Sequence, residues 1–307
     1  LTASVVIAND FNEDGFVDLF IGARIVPWEY GEAPQSYLML NDKTGRFTDA
    51  TKIIAPALAK AGFVTNALWF DIDKDGDKDL LLSFEWGGIE AYIFDKGRFT
   101  RKLLSDKKGW WNFILPCDVD NDGDIDLIAG NLGLNSRLKA SEKEPLHLYF
   151  NDFDGNGKKE QVLTYYVGGK EIPFANKAEL EKQMPVLKKN FLYAGDFAKA
   201  TLSELFTKEK LDKAIILTAN YLSNAVLINN GKGTFETRAL PTETQFSSMK
   251  DAVVVDANQD TINGLVVKGQ VRHILPLKIG KKAAFVIARN SDSAMIINFK
   301  DKMIKEN

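Results

Sequence analysis

The sequence predicts an all-β protein, an about seven-bladed β-propeller with a six-bladed arrangement as the alternative, on three observations. One acidic phrase recurs along the chain, each copy is bracketed by apolar runs too short for helices, and the copies are spaced roughly as propeller blades are.

The first three copies of the phrase are Asp10, Asn12, Asp14, Gly15 and Asp18; Asp71, Asp73, Asp75, Gly76 and Asp79; and Asp118, Asp120, Asp122, Gly123 and Asp126. A fourth, Asp152, Asp154, Asn156, Gly157 and Glu160, keeps the chemistry with two substitutions. Residues 5–8, 67–70, 113–115 and 146–150 precede the copies as apolar runs, and 19–21, 80–82, 127–129 and 162–166 follow them. Further strands are expected at 37–40 and 45–48, then at 91–94 and 97–100, and a turn followed by Phe returns at 229–235. The repeating unit is therefore about four strands. Two weaker copies extend the series, with Asp196 and Asp256 as first positions. First positions at 10, 71, 118, 152, 196 and 256 are separated by 61, 47, 34, 44 and 60 residues. A last unit, with strands at 271–277, 283–288 and 294–299, has no acidic loop.

Short helical insertions are expected near 176–190 and 201–213. Asn176 with Glu179, and Thr201 with Glu204, have the spacing of capping boxes. Leu180, Met184 and Leu187 then share one helical face, as do Leu202, Leu205 and Phe206. The second insertion displaces an acidic loop, so its blade is expected to be metal-free.

At 307 residues, 45% apolar and 26% charged, the chain suits one domain spanning 1–307 with a sizeable core. A formal charge of −3 suggests no nucleic-acid-binding patch. Cys117 is the only cysteine, which excludes an internal disulfide and a cysteine-rich zinc site. No apolar run has the roughly 18 to 20 residues of a membrane helix. The chain starts directly in a strand-like run, without initiator Met or signal peptide, and reads as part of a longer exported protein.

The acidic loops are read as calcium sites. Side-chain oxygens at positions 1, 3 and 5, the backbone carbonyl at position 7 and a carboxylate at position 9 converge on one hard cation when Gly at position 6 permits a sharp turn. The expected ligands include the position-7 residues Phe16, Asp77, Asp124 and Lys158, through their carbonyls. The closing acid at 9 followed by a strand separates these loops from EF-hands, which close at 12 and continue into a helix. Polar hairpin turns without metal are the competing reading, but turn chemistry does not demand acids at positions 1, 5 and 9 in each of the first three copies. Without a cation the gathered carboxylates repel by about a kcal/mol or more per close pair. About four bound calcium ions would bring the formal balance from −3 to about +5. Sites of this kind bind at about 10⁻⁴ to 10⁻³ M, so they fill outside cells and stay empty in cytosol.

The loops with their flanking strands resemble FG-GAP/VCBS repeats of integrin α-subunit propellers and bacterial surface proteins. Residues 21–27 and 34–38, with 129–136, are similar to bacterial propellers of the ASPIC/UnbV type. The resemblance implies a calcium-stabilised propeller that binds or assembles with a protein or glycan partner at the cell surface, in an outer-membrane complex. The loop from Asp256 departs from the pattern, lacking Gly at position 6 and an acid at position 9; it reads as a loop short of residues after Asp260 rather than as a dead site.

Catalytic material is sparse. His147 and His273 are the only histidines, leaving little for nucleophilic triads or histidine-rich metal centres. Gly231 and Gly233 flank Lys232 in a hairpin turn, not in a phosphate-binding loop. The chain is thus expected not to be an enzyme; the alternative is a calcium-dependent polysaccharide lyase or glycoside hydrolase on a propeller scaffold. Trp28, Trp86 and the Trp110–Trp111 pair are either packing or partner anchors. Arg24, Asn131 and Asn135, just past acidic loops, are candidates with Trp86 and Trp110 for a partner-binding rim.

Overall fold

The structure is a computed structural model that describes residues 2–253 in full and, beyond them, the strands up to Asn298 as backbone only. It is mostly β, 41% strand and 14% helix. Strands β1 (Ala3–Asn9), β2 (Asp18–Ala23), β3 (Tyr37–Asn41) and β4 (Phe47–Asp49) form one antiparallel meander. A single turn of helix, α1 (Thr51–Ile54), leads to the second sheet, β5 (Phe63–Phe70), β6 (Asp79–Asp95) and β7 (Arg98–Trp110).

β6 is continuous in sequence but not straight. The Phe94 N–H donates to Asp79 Oδ1 at 2.9 Å, although fifteen residues of extended chain would span about 50 Å. The segment doubles back at Trp86, whose φ of 61° is left-handed, and Gly87. The second sheet thereby repeats the four-stranded path of the first.

The third sheet departs from sequence order. β8 (Phe113–Cys117) pairs with β9 (Asp126–Gly130), but β9 then pairs with β14 (Ala225–Asn229), which pairs with β15 (Phe235–Ala239). Between β9 and β14 lies a complete further unit: β10 (Leu146–Asn151), β11 (Glu160–Val167), β12 (Lys170–Pro173) and β13 (Ile215–Ala219), in the order β12-β11-β10-β13. The fourth acidic loop is therefore nested inside the third repeat, and the spacing of 34 residues reflects half a sheet. The insertion is pinned where it leaves and rejoins, because the Asn131 N–H donates to Asn224 Oδ1 at 2.6 Å.

Between β12 and β13 runs a helical segment, α2 (Lys177–Gln183), α3 (Leu187–Asn190), α4 (Ala194–Phe197), α5 (Leu202–Leu205) and α6 (Lys208–Asp212). The expected capping box at Asn176 is complete: Asn176 Oδ1 accepts from the Glu179 N–H and Glu179 Oε2 from the Asn176 N–H. Leu180, Met184 and Leu187 are buried, as predicted. The weak copy at Asp196 is corrected. Asp196 lies in α4 with helix α3, not a strand, before it; of residues 191–194 only Phe191 packs, against the helical cluster, while Leu192 and Tyr193 are exposed.

Strands β16 (Val253–Val255) and β17 (Gly264–Val266) pair, as do β18 (Val271–Ile279), β19 (Lys282–Arg289) and β20 (Met295–Asn298), matching the expected last unit. The loop from Asp256 lies outside the described residues, and so does the side chain of His273.

β1 lies against β5, and β5 against β8, so the leading strands of the first three sheets are neighbours. Phe11, Phe20, Leu80 and Tyr92 join the first and second sheets in one core; Leu81, Trp111, Leu127 and Leu227 join the second and third in another.

Candidate metal centres

Each of the four loops joins the first two strands of its unit, and the same atoms do the same work in each. The position-1 carboxylate accepts the N–H of position 6: Asp10 from Gly15 at 2.8 Å, Asp71 from Gly76 at 3.1 Å, Asp118 from Gly123 at 3.0 Å and Asp152 from Gly157 at 3.0 Å. The position-6 glycines have φ between 85° and 103°, and a Cβ there would meet nothing within 4 Å; backbone conformation, not space, selects glycine. Position 4 is also left-handed, and only the fourth loop places glycine there, Gly155; the others use Glu13, Lys74 and Asn121. The sequence reading passed over this position because its residue type varies.

The position-9 acid starts the next strand and is buried: Asp18, Asp79 and Asp126 are at most 1% exposed and Glu160 5%. One oxygen of each aspartate accepts from the backbone of the third strand, the Asn41, Phe94 and Asn229 N–H groups respectively, at 2.8–2.9 Å. The other oxygen of Asp79, Asp126 and Glu160 accepts the N–H of position 2, from Ile72, Val119 and Phe153. The closing acid is thus a brace between strands as well as a ligand candidate.

Three loops bring carboxylate oxygens within 4.8 Å of one another: Asp71, Asp73 and Asp79; Asp118, Asp120 and Asp122; Asp152, Asp154 and Glu160. The first loop forms no such triad among the described residues; its third position is the amide of Asn12. Electrostatics marks the groups as strained without a cation. Burial pushes the Asp79 carboxyl up to about 6, with Asp73 and Asp75 adding to the shift. Burial likewise raises Asp18, Asp73, Asp126 and Glu160. Asp152 is held below the ordinary range: the N–H groups of Gly157, Gly155 and Asn156 outweigh its desolvation.

The test of fit is the set of orphaned atoms. Asp71 Oδ1 and Asp118 Oδ1, both at position 1, and Asp18 Oδ2, at position 9, are buried carboxylate oxygens without a hydrogen-bond partner. A buried carboxylate oxygen without a donor is costly, and a cation satisfies it. The donor set is entirely oxygen, which suits a hard divalent ion.

The position-7 side chains play another part. Asp124 accepts from Lys74 Nζ at 2.7 Å, and the same ammonium reaches the Gly123 carbonyl, so the second and third loops are tied directly. These loops share one end of their sheets. The fourth stands apart: Lys159 pairs with Glu32 at 3.4 Å, in the β2–β3 connection at the far end of the first sheet.

The proposed rim is partly corrected. Asn131 is fully buried, accepting from the Trp110 and Leu132 N–H groups and donating to the Tyr221 carbonyl; it seals the insertion junction. Trp86 is buried too, its indole donating to Tyr30 Oη at 2.7 Å and meeting Trp110 edge-on. Both lie a full strand beyond the loops, where the inserted unit covers them. Trp110 is half-buried. Arg24 stays exposed beside Glu85, at 2.8 Å, and exposed Asn135 donates to the Phe246 carbonyl. Trp28, 97% exposed, is the tryptophan that stands free.

A family profile described as FG-GAP-like repeat matches residues 10–82 and 71–129. Each match begins on the first aspartate of a loop and ends in the strand after the next loop, so the stretch that holds the first three loops is similar to FG-GAP-like repeats. No curated protein matches the chain. Among the described residues, no helix is long and apolar enough to cross a membrane.

Proposed function

We propose that the chain is a calcium-braced β-propeller of the FG-GAP/VCBS type, with its sheets as blades, acting outside the cell as a binding or assembly module for a protein or glycan partner. The observation that carries this reading is the trio of orphaned buried oxygens, on Asp18, Asp71 and Asp118, each on a carboxylate whose other oxygen already accepts a backbone N–H. The backbone has oriented these carboxylates and left one oxygen open in each of the first three loops. Calcium fits better than magnesium because the loops offer many flexible oxygens and no preset octahedron. Loops of this kind belong to a weak affinity class that fills where calcium is about millimolar, which supports a setting outside the cell. Similarity of residues 21–27 and 129–136 to ASPIC/UnbV-type proteins supports a bacterial cell-surface setting, in an outer-membrane assembly.

At a calcium concentration ten times the dissociation constant, each site stabilises the fold by about 1.4 kcal/mol. Thermal melts in calcium, in magnesium and in EGTA test the reading. Calcium is expected to raise Tm well above EGTA and magnesium to raise it little. Equal melting in all three contradicts it.

A further inference from the structure

We propose that the inserted unit holds a binding cleft for a neutral oligosaccharide, walled by the outer face of its sheet and by α5 and α6; this rests on the binding-module reading and names its ligand class. Along β10, β11 and β13, Leu146, Leu148, Leu163, Tyr165 and Leu217 point into the core under Trp86. Strand alternation turns His147, Tyr149, Thr164, Tyr166 and Ile216 to the opposite face. That face mixes these polar groups with apolar ones; the helical segment buries Val162 on it and leaves Ile216 half exposed. A cleft of about 820 Å³ remains, lined by Tyr149, Lys170, Glu171, Leu202, Ser203 and Asp212 among others. The volume suits a small ligand.

Glu171 is its centre. Oε1 receives His147 Nδ1 at 2.7 Å and Thr164 Oγ1 at 2.5 Å. Oε2 has only the Tyr149 and Tyr166 hydroxyls, each at 3.5 Å, the outer limit of a hydrogen bond. Burial works against the charge, yet His147 and Thr164 hold the carboxyl below its ordinary value. The wall thus presents an oriented, ionised acceptor with one oxygen under-filled.

A sugar matches both sides of this cleft. Its C–H face packs on Tyr149, Leu202, Leu211 and Ile216, while its hydroxyls donate to Glu171 Oε2 and accept from Lys170 or Ser203. Glu171 and Asp212 outnumber Lys170, which already interacts with Glu204, so an anionic ligand is disfavoured.

The test is an array of neutral gluco-, manno-, galacto- and xylo-oligosaccharides probed with the calcium-loaded protein, followed by calorimetry on the sugar retained. Binding is expected, with Tyr149→Ala and Glu171→Gln weakening it at least tenfold. Ser203→Trp, at an exposed position on α5, puts an indole into the cleft from the helical wall and is expected to abolish binding at unchanged Tm. No bound neutral sugar, or wild-type affinity in Ser203→Trp, overturns the inference. Capture of a protein partner without any sugar also overturns it, while leaving the binding-module reading intact.

Discussion

Asp79 shows how much one residue does in this fold: it accepts from Ile72 and Phe94 and is wholly buried, and that burial, with a smaller push from Asp73 and Asp75, takes its carboxyl up to about 6. A carboxyl whose folded value lies above its unfolded one stabilises the metal-free fold at low pH and loses that contribution as pH rises through about 6. Bound calcium reverses the preference by favouring the ionised form. The gap in Tm between calcium and EGTA is therefore expected to be wide at pH 7.5 and to shrink as pH falls through 6; a gap constant with pH contradicts this. Asp79→Asn keeps the shape, removes the charge and turns an amide N–H₂ toward a backbone donor. It is expected to lose about 3 kcal/mol in calcium and clearly less in EGTA, measured by urea unfolding. The loops themselves were legible because glycine at position 6 and oxygen-bearing side chains at positions 1, 3, 5 and 9 recur in all four copies. The bracing role of Asp18, Asp79 and Asp126 was not, since their partners Asn41, Phe94 and Asn229 lie 15 to 103 residues away.

Among the elements, the four-stranded unit and the helical insertions were readable, because period-two runs and capping boxes are local signals. The nesting was not read, although it had left a trace. The first two repeats each close with a turn followed by Phe, at Phe47 and Phe99, before the next begins; the third reaches its closing Phe235 only after the fourth loop has passed. A strict left-to-right count took that turn as a separate feature and Asp196 as a new start. Asn131 holds the junction, so Asn131→Ala strands the Trp110 and Leu132 N–H groups and the Tyr221 carbonyl in a buried site. A loss of about 3 kcal/mol or more in unfolding free energy is expected, and a loss under about 1 kcal/mol would mean the junction is not sealed there. Gly31, at φ 138°, lies against Phe150, where a Cβ would come within 2.4 Å of the ring. Gly31→Ala is expected to lower Tm by loosening the inserted unit from the first sheet.

For the whole molecule, the β1–β5–β8 succession and the shared cores supply a continuous stack of sheets, and the fourth acidic loop rides on an insertion set apart from the other three. Because the insertion leaves and returns at adjacent residues, exchanging residues 134–221 for a short Gly-Ser linker is expected to give a folded protein that has lost one calcium and kept the rest. Loss of all metal binding would mean that the stack depends on the insertion. Native mass spectrometry of the intact chain, first stripped with EGTA and then returned to millimolar calcium, bears most directly on the central claim. The account predicts mass increments of about four calcium ions, vanishing one at a time in Asp10→Ala, Asp71→Ala, Asp118→Ala and Asp152→Ala. A chain that takes up no calcium would contradict it.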